Sequence, residues 1–349
     1  MVAQHDIETL RGLIEGAERV LLTGPEDPDG DSIGACLALA RTIRRFARAT
    51  VEVAGTPSFR YAWMDGADKM VPDAQVRGPY DLAIVLDGDR HRLTPVVREA
   101  FYGAKATAII DHHGTTSADG YTLAVIDRKA ESTCGMILRC MDAWNIHLDP
   151  PTAAQLYTGI IFDTGCFRHS NTSGATHLVA ARLLEQGIDH SAIAIKVLLE
   201  RRRSGMALQA RVLDNATFHA ASRVVQGVVS RRVMDQLGST EADVEGIVEA
   251  MIYVEGVEVA VLIVERGPEL VKLSLRSRGQ VDVSAVARAL HASGGGHAKA
   301  AGVILREPLA EVVSRVPRAI ELAFGEPVRA VNGLSAVKTE ASAGLQHRG

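Results

Sequence analysis

Short aliphatic runs alternate with helical spacing through the first part of the chain. The runs are Val20-Leu21-Leu22, Val51-Glu52-Val53, Leu82-Ala83-Ile84-Val85-Leu86 and Ala108-Ile109-Ile110. A helix is expected from about Ser32, with Ile33, Leu37, Ala40 and Ile43 on one face at three- and four-residue spacing. Its Arg41, Arg44, Arg45 and Arg48 fall elsewhere and read as a solvated face in preference to a phosphate site. Strands alternating with helices imply a parallel sheet covered by helices on both faces.

The pattern changes between about residues 190 and 216, which read as one or two helices carrying Arg201-Arg202-Arg203, a candidate linker. From Ser222 strands resume at Val224-Val225, Val228-Val229, 257–264 and 270–275, with helices near 283–291 and 309–324. That is material for a second, smaller α/β domain. From about Val331 the chain is rich in Ala, Ser, Gly and Lys without period, and a disordered tail is expected. The division expected is 1–190, a helical linker over 191–216, a second domain over 217–330 and a tail over 331–349.

Composition narrows the class. With 47% hydrophobic, 4% aromatic and 23% charged residues in 349, the chain has the aliphatic content for two packed α/β cores and too little charge for disorder. The net charge of -4 supplies no field to draw in a long polyanion such as duplex DNA, so a phosphate-bearing substrate should be small and held locally. No run approaches a membrane span, and the first residues lack the basic start and apolar stretch of a signal peptide, so a soluble, cytoplasmic protein is expected. Cys36, Cys134, Cys140 and Cys166 form no CxxC pair and read as reduced packing thiols.

Chemistry-bearing residues follow aliphatic runs at four places. They are Asp29-Gly30-Asp31, Asp87 with Asp89, Asp111-His112-His113, and Asp163 after residues 159–162. In an open parallel sheet the carboxyl ends of the strands share one edge, where ligands bind, so these groups should converge. Converging carboxylates repel and call for cations or raised pKa values. Carboxylates with imidazole suit manganese, iron, cobalt or zinc, and two such ions about 4 Å apart serve phosphoryl chemistry. Taken singly, Asp29-Gly30-Asp31 is also a good turn and helix cap, and Asp163 could cap or turn. Further on, Gly294-Gly295-Gly296-His297 would let main-chain N–H groups approach an anion, with a helix start or nest there complementing phosphate. Arg276-Ser277-Arg278 offers a bidentate phosphate partner nearby in sequence.

Together PDGDSIGA at 28–35, VLDGD at 85–89, DHH at 111–113, LYTGIIFDTGCFRHSNT at 156–172, SLRSRGQVDVS at 274–284 and GGGHAKAAG at 294–302 resemble the DHH phosphoesterases. The resemblance is to the two-domain group with a DHHA1 domain, which includes nanoRNase, pAp phosphatase and cyclic-dinucleotide phosphodiesterase enzymes, and it spans roughly residues 5 to 325. It implies a parallel-sheet DHH domain and a smaller DHHA1 domain across a cleft. It implies two divalent metals, expected to be Mn2+. One would be bound by Asp31, Asp87, His112 and Asp163. The other would lie at Asp29 and the bridging Asp87, which with His113 at the scissile phosphate would be catalytic. Arg276, Ser277, Gly294, Gly295, Gly296 and His297 would bind the substrate.

One departure stands out. The family pattern places a histidine three residues before the proline of PDGD, and here that position is Pro25. Glu26 or Asp27 could substitute, His91 could reach in, or one metal site is weak. The implied activity is hydrolysis of short oligoribonucleotides, pAp or cyclic dinucleotides to mononucleotides. The alternative is a nucleotide-binding module with weak or no turnover. Inorganic pyrophosphatase, a rival within the same fold, is disfavoured by GGGHAKAAG and RSRG. The partners expected are a small nucleotide or short single-stranded RNA, with a homodimer left open and neither duplex DNA nor a membrane.

Overall fold

The computed structural model of the chain describes residues 4–324, so the tail expected over 331–349 lies outside the described residues. The chain divides into two compact units, Met1–Arg201 and Arg202–Gly349.

The first unit is built on five parallel strands, β1 (Arg19–Thr23), β2 (Thr50–Ala54), β3 (Leu82–Leu86), β4 (Ala106–Asp111) and β5 (Leu123–Ile126), in the order β2-β1-β3-β4-β5. Every residue of β3 is buried, as a strand covered on both faces requires. Alternation along the strands separates two cores. Val20, Leu22, Ile84, Ala108 and Ile110 pack in one. Leu21, Ala83, Val85 and Ile109 pack in the other. The first core is completed by α1 (Gln4–Glu15), α2 (Gly30–Phe46), α4 (Thr133–Ala143) and α5 (Pro150–Asp163), the second by α3 (Pro95–Tyr102). The chain continues through α6 (Gly174–Leu184) and α7 (His190–Ala194) into a π-helical turn, Ile195–Leu199.

One sequence expectation is corrected. The aliphatic residues before Asp163 do not end a strand but are the last turn of α5. Asp149 caps that helix by accepting from the Thr152 amide, and Pro150 and Pro151 occupy its first positions, where a missing N–H costs nothing. In α2 the helical arginines serve the same segment, since Arg41 and Arg45 both pair with Asp149.

The second unit starts with α8 (Arg203–Asp214) and carries a six-stranded sheet. Its strands are β6 (Thr217–His219), β7 (Val224–Val229), β8 (Val259–Gly267), β9 (Leu270–Ser277), β10 (Gly295–His297) and β11 (Ala300–Leu305), ordered β10-β11-β9-β8-β7-β6. Only the β7–β8 pair is parallel among these neighbours. Val259, Val261 and Ile263 face α11 (Val283–Leu290) and α12 (Leu309–Phe324). Ala260, Leu262 and Val264 face α8, α9 (Arg231–Leu237) and α10 (Ile247–Ile252).

Candidate active site

The order of the first sheet reverses direction at β1, with β2 on one side and β3 on the other. Such a switch point opens a crevice beyond the carboxyl ends of the strands, and there β1 leads to Asp29 and Asp31 while β3 leads to Asp87. Asp29 caps α2, its Oδ1 accepting from the amides of Asp31 (3.0 Å) and Ser32 (3.1 Å). Capping and site placement thus coincide in one residue. Asp31, in the first turn of α2, is fully buried. Its two oxygens accept from the first amides of α4, Thr133 N at 2.6 Å and Cys134 N at 2.9 Å, so the positive end of that helix faces the carboxylate.

Asp87 leaves β3 with φ of 60°, a left-handed conformation that is costly for most side chains and that aspartate tolerates best after glycine and asparagine. It is 3% exposed and accepts from Thr133 Oγ1 at 3.2 Å. His112, also buried, sits among the acids. Its Nε2 is 2.9 Å from Asp163 Oδ2, 3.5 Å from Asp87 Oδ1 and 3.9 Å from Asp31 Oδ2. On the other side of the ring Nδ1 lies 3.3 Å from the Ala130 carbonyl, which fixes a proton on Nδ1 and turns Nε2 to the carboxylates. Asp163 closes the group from the end of α5, its main-chain oxygen held by His169 Nδ1 (3.0 Å) and Asn171 Nδ2 (3.2 Å). His113 is oriented by Asp111, with Nδ1 2.7 Å from Oδ1, and Asp111 in turn accepts from Thr116 Oγ1.

The electrostatics follow from this crowding. Burial, and then the charge of Asp163, raises the Asp31 pKa to about 6 against the opposing pull of His112. Burial and Asp163 raise Asp29 too, and burial with Asp31 and Asp29 raises Asp87 well above the usual range. Burial alone would lower His112, but Asp163 and Asp87 carry it well above the imidazole value. Asp111 goes the other way: burial disfavours its charge, yet His113 and Thr116 hold it below the carboxylate range. Carboxylates resisting ionisation for want of positive charge fit a divalent cation. The ligand atoms of Asp31, Asp87 and His112 lie within 4.8 Å of one another, as do those of Asp87, Asp111 and His113.

In the second unit the glycine run is the short strand β10, not a helix start. It pairs antiparallel with β11, Gly295 opposite Gly302 and His297 opposite Ala300. A Cβ on Gly294 would lie 2.2 Å from the Ala287 carbonyl of α11, and Gly296, at φ of 127°, would put one 2.5 Å from Ala300 O. Glycine is therefore needed for main-chain approach as such. Arg276 is engaged by Glu249 at 3.0 Å (Nε) and 2.8 Å (Nη2). Buried Ser277 keeps an Oγ with no hydrogen-bond partner among the described residues.

The DHH family N-terminal domain matches residues 19–160 and the DHHA1 domain residues 224–325. The chain is 32% identical over 287 residues to the bifunctional oligoribonuclease and PAP phosphatase NrnA of Thermus thermophilus, covering 80% of this chain and 82% of that protein. It is 24% identical to the cyclic-di-AMP phosphodiesterase GdpP of Geobacillus thermodenitrificans, over 91% of this chain and 50% of that one. Among solved structures, an exopolyphosphatase-related protein from Bacteroides fragilis superposes with a TM-score of 0.79 at 23% identity, covering 92% of this chain and 97% of that one. RecJ of Thermus thermophilus, solved with Mn2+, has a TM-score of 0.52 at 13% identity, over 93% and 55% of the two chains. The chain belongs to the DHH/DHHA1 phosphoesterase family and is a phosphoric ester hydrolase. No helix among the described residues is long and apolar enough to cross a membrane.

Proposed function

We propose that the chain is a cytoplasmic enzyme that hydrolyses short oligoribonucleotides, pAp or cyclic dinucleotides to mononucleotides, with manganese held by Asp31, Asp87, His112 and Asp163. The observation that carries this is the gathering of three carboxylates within 2.9 to 3.9 Å of His112 Nε2 in an interior that gives them too little positive charge. When bound, the cation supplies a water nucleophile acidic enough to ionise near neutral pH and neutralises charge on the phosphoryl oxygens. The side chains do the rest. Thr133 and Cys134 hold Asp31 in place, and Thr133 Oγ1 holds Asp87. Asp111 accepts from His113 Nδ1, which fixes the ring and leaves Nε2 to face a phosphate.

In the second unit Arg276, Ser277, Gly294, Gly295, Gly296 and His297 are assigned to substrate. The unpartnered Ser277 Oγ supports this assignment, whereas Arg276 would share its guanidinium with Glu249. One observation favours a second reading: Pro25 cannot ligate, so an ion at Asp29 and Asp87 would be held loosely, and a nucleotide-binding module with weak turnover is the alternative. A manganese-supplemented assay on pAp, RNA of two to five residues and cyclic di-AMP, with products resolved chromatographically, decides between them. Turnover of none of the three, with binding retained, would support the module.

A further inference from the structure

Three of the four arginines that the sequence reads as a solvated face, Arg41, Arg44 and Arg45, line a cavity of about 470 Å³ in the first unit. The cavity lies away from the acids, since Arg41 is ten residues beyond Asp31 on α2, about 15 Å along the helix. Its apolar lining is Leu37 of α2 and Val53 of β2, both part of the buried core. The charges around it do not cancel. Arg41 is held by Asp65 at 2.6 Å and Asp149 at 2.7 Å, and Arg45 pairs with Asp149 as well. Arg44 donates to the Val51 carbonyl at 3.1 Å, and neither it nor Lys69, exposed at the same cavity, has a carboxylate partner among the described residues. Four cations against two carboxylates leave positive charge for an anion.

One further polar side chain lines the cavity, Gln155 of α5, which is 1% exposed. Its Nε2 donates to the Asp65 carbonyl at 2.8 Å. A carbonyl only accepts, so the atom left over is Oε1, an acceptor with no hydrogen-bond partner among the described residues. A buried acceptor of this kind is costly unless something donates to it. We propose that the cavity binds a mononucleotide, its phosphate at Arg44 and Lys69, its base against Leu37 and Val53, and a base N–H toward Gln155 Oε1. Inorganic phosphate would answer the cations and leave the apolar lining and the amide unused. A sugar phosphate would set hydroxyls against Leu37 and Val53. A flat base with one donor edge suits both, and the volume is within the roughly 300–1,000 Å³ of small-molecule sites. The occupant would touch α2 and α5, the helices that carry Asp31 and Asp163. The proposal does not rest on the phosphoesterase reading.

The experiment is equilibrium dialysis of the full chain, in chelator, with labelled AMP, GMP, CMP and UMP beside ribose 5-phosphate and inorganic phosphate. At least one nucleotide should bind at least about tenfold more tightly than ribose 5-phosphate or phosphate, the difference being what the base contributes. Arg44→Glu with Lys69→Glu, both at exposed positions, should weaken it at least about tenfold by reversing the charge that meets the phosphate. Lys69→Ala alone should weaken it in part, and thermal melts should show both variants folded. Binding should persist in His297→Ala, which alters the group assigned to substrate in the second unit. Hydrogen exchange should slow on nucleotide addition over about 37–45 and 65–69. Equal binding of phosphate or ribose 5-phosphate, nucleotide binding that survives both cavity variants, or no binding of any of the four nucleotides would overturn the proposal, whether or not the chain turns over a phosphate ester.

Discussion

In the first unit, acidic side chains are packed together out of water and restrained by main-chain N–H groups and by His112. In the second, the motif with the most distinctive composition, Gly294 to His297, works by having almost no side chains. The acidic group stores repulsion, visible as the upward shifts of Asp31, Asp29 and Asp87. The glycine strand stores close approach, with carbonyls of Ala287 and Ala300 where a Cβ would otherwise sit. A site of the first kind depends on what binds to it. One of the second kind depends on the fold around it.

The largest expected effect tests the first half of that contrast. Asp87→Ala, or excess chelator on the unaltered chain, should lower turnover by at least about 1000-fold, because clustered acids without their cation neither orient water nor shield phosphate. Elemental analysis of Asp87→Ala should show the loss of ion together with activity, and full activity in chelator would break the comparison. Next comes Gly294→Ala, expected to destabilise the second unit by about 1–3 kcal/mol, the range for a forced overpacking. Calorimetry should place the loss in the second unit while manganese binding is retained. His297→Ala should be milder, lowering kcat/KM by about tenfold with KM rising and metal content intact. Loss of bound metal in that variant would show that the histidine is wrongly assigned.

The smallest effect sharpens the contrast through pH. A carboxyl raised on folding favours the folded state while protonated, so the metal-free first unit should lose stability as pH rises from about 3.8, through the Asp31 value of about 6. Raised His112 has the same sign, its contribution being lost as pH climbs through its folded value. Asp111, lowered, acts only on the acid side, where its contribution is lost as pH falls below the ordinary carboxylate value. The second unit has the opposite slope at Asp282, which caps α11 and is lowered by Ser284, so its contribution is lost on acidification. Thermal melts without metal between pH 4 and about 7 should therefore show the first transition falling as pH rises while the second stays nearly level, and added Mn2+ should raise the first more at the higher pH. Parallel movement of both would count against the electrostatic account.

The sheet of the first unit was legible because β1, β3 and β4 are short aliphatic runs, each ending near an acid. Asp163 was placed correctly beside the others for a mistaken reason. A four-residue aliphatic run has no period to tell strand from helix, and the deciding signal lay upstream in Asp149-Pro150-Pro151. Thr133 and Cys134 are not legible because both reach Asp31 through main-chain N–H groups, which every residue carries, and the one side-chain contact, Thr133 Oγ1 to Asp87, comes from a common hydroxyl. Their only trace was Ser132, a helix cap before an apolar run, whose side chain accepts from Gly135 N. Asn171 and His169 give no separate signal within residues 156–172 for a similar reason, since what they hold is the carbonyl of Asp163. The glycine run suggested an anion nest, and only the positions of Ala287 and Ala300 reveal its packing role.

The two amide protons that α4 aims at Asp31 also set a clock for the centre. Each is shielded by the interior and held by a carboxylate at 2.6 or 2.9 Å, so neither can exchange with deuterium until the start of α4 lifts away from α2. That lifting would expose Asp31 and release Thr133 from Asp87 in the same motion. Local openings of this kind range from nearly free to as costly as global unfolding. Thr133 and Cys134 therefore report, residue by residue and without any substrate, how often the acidic edge comes apart, and their exchange should slow when a cation draws the carboxylates together.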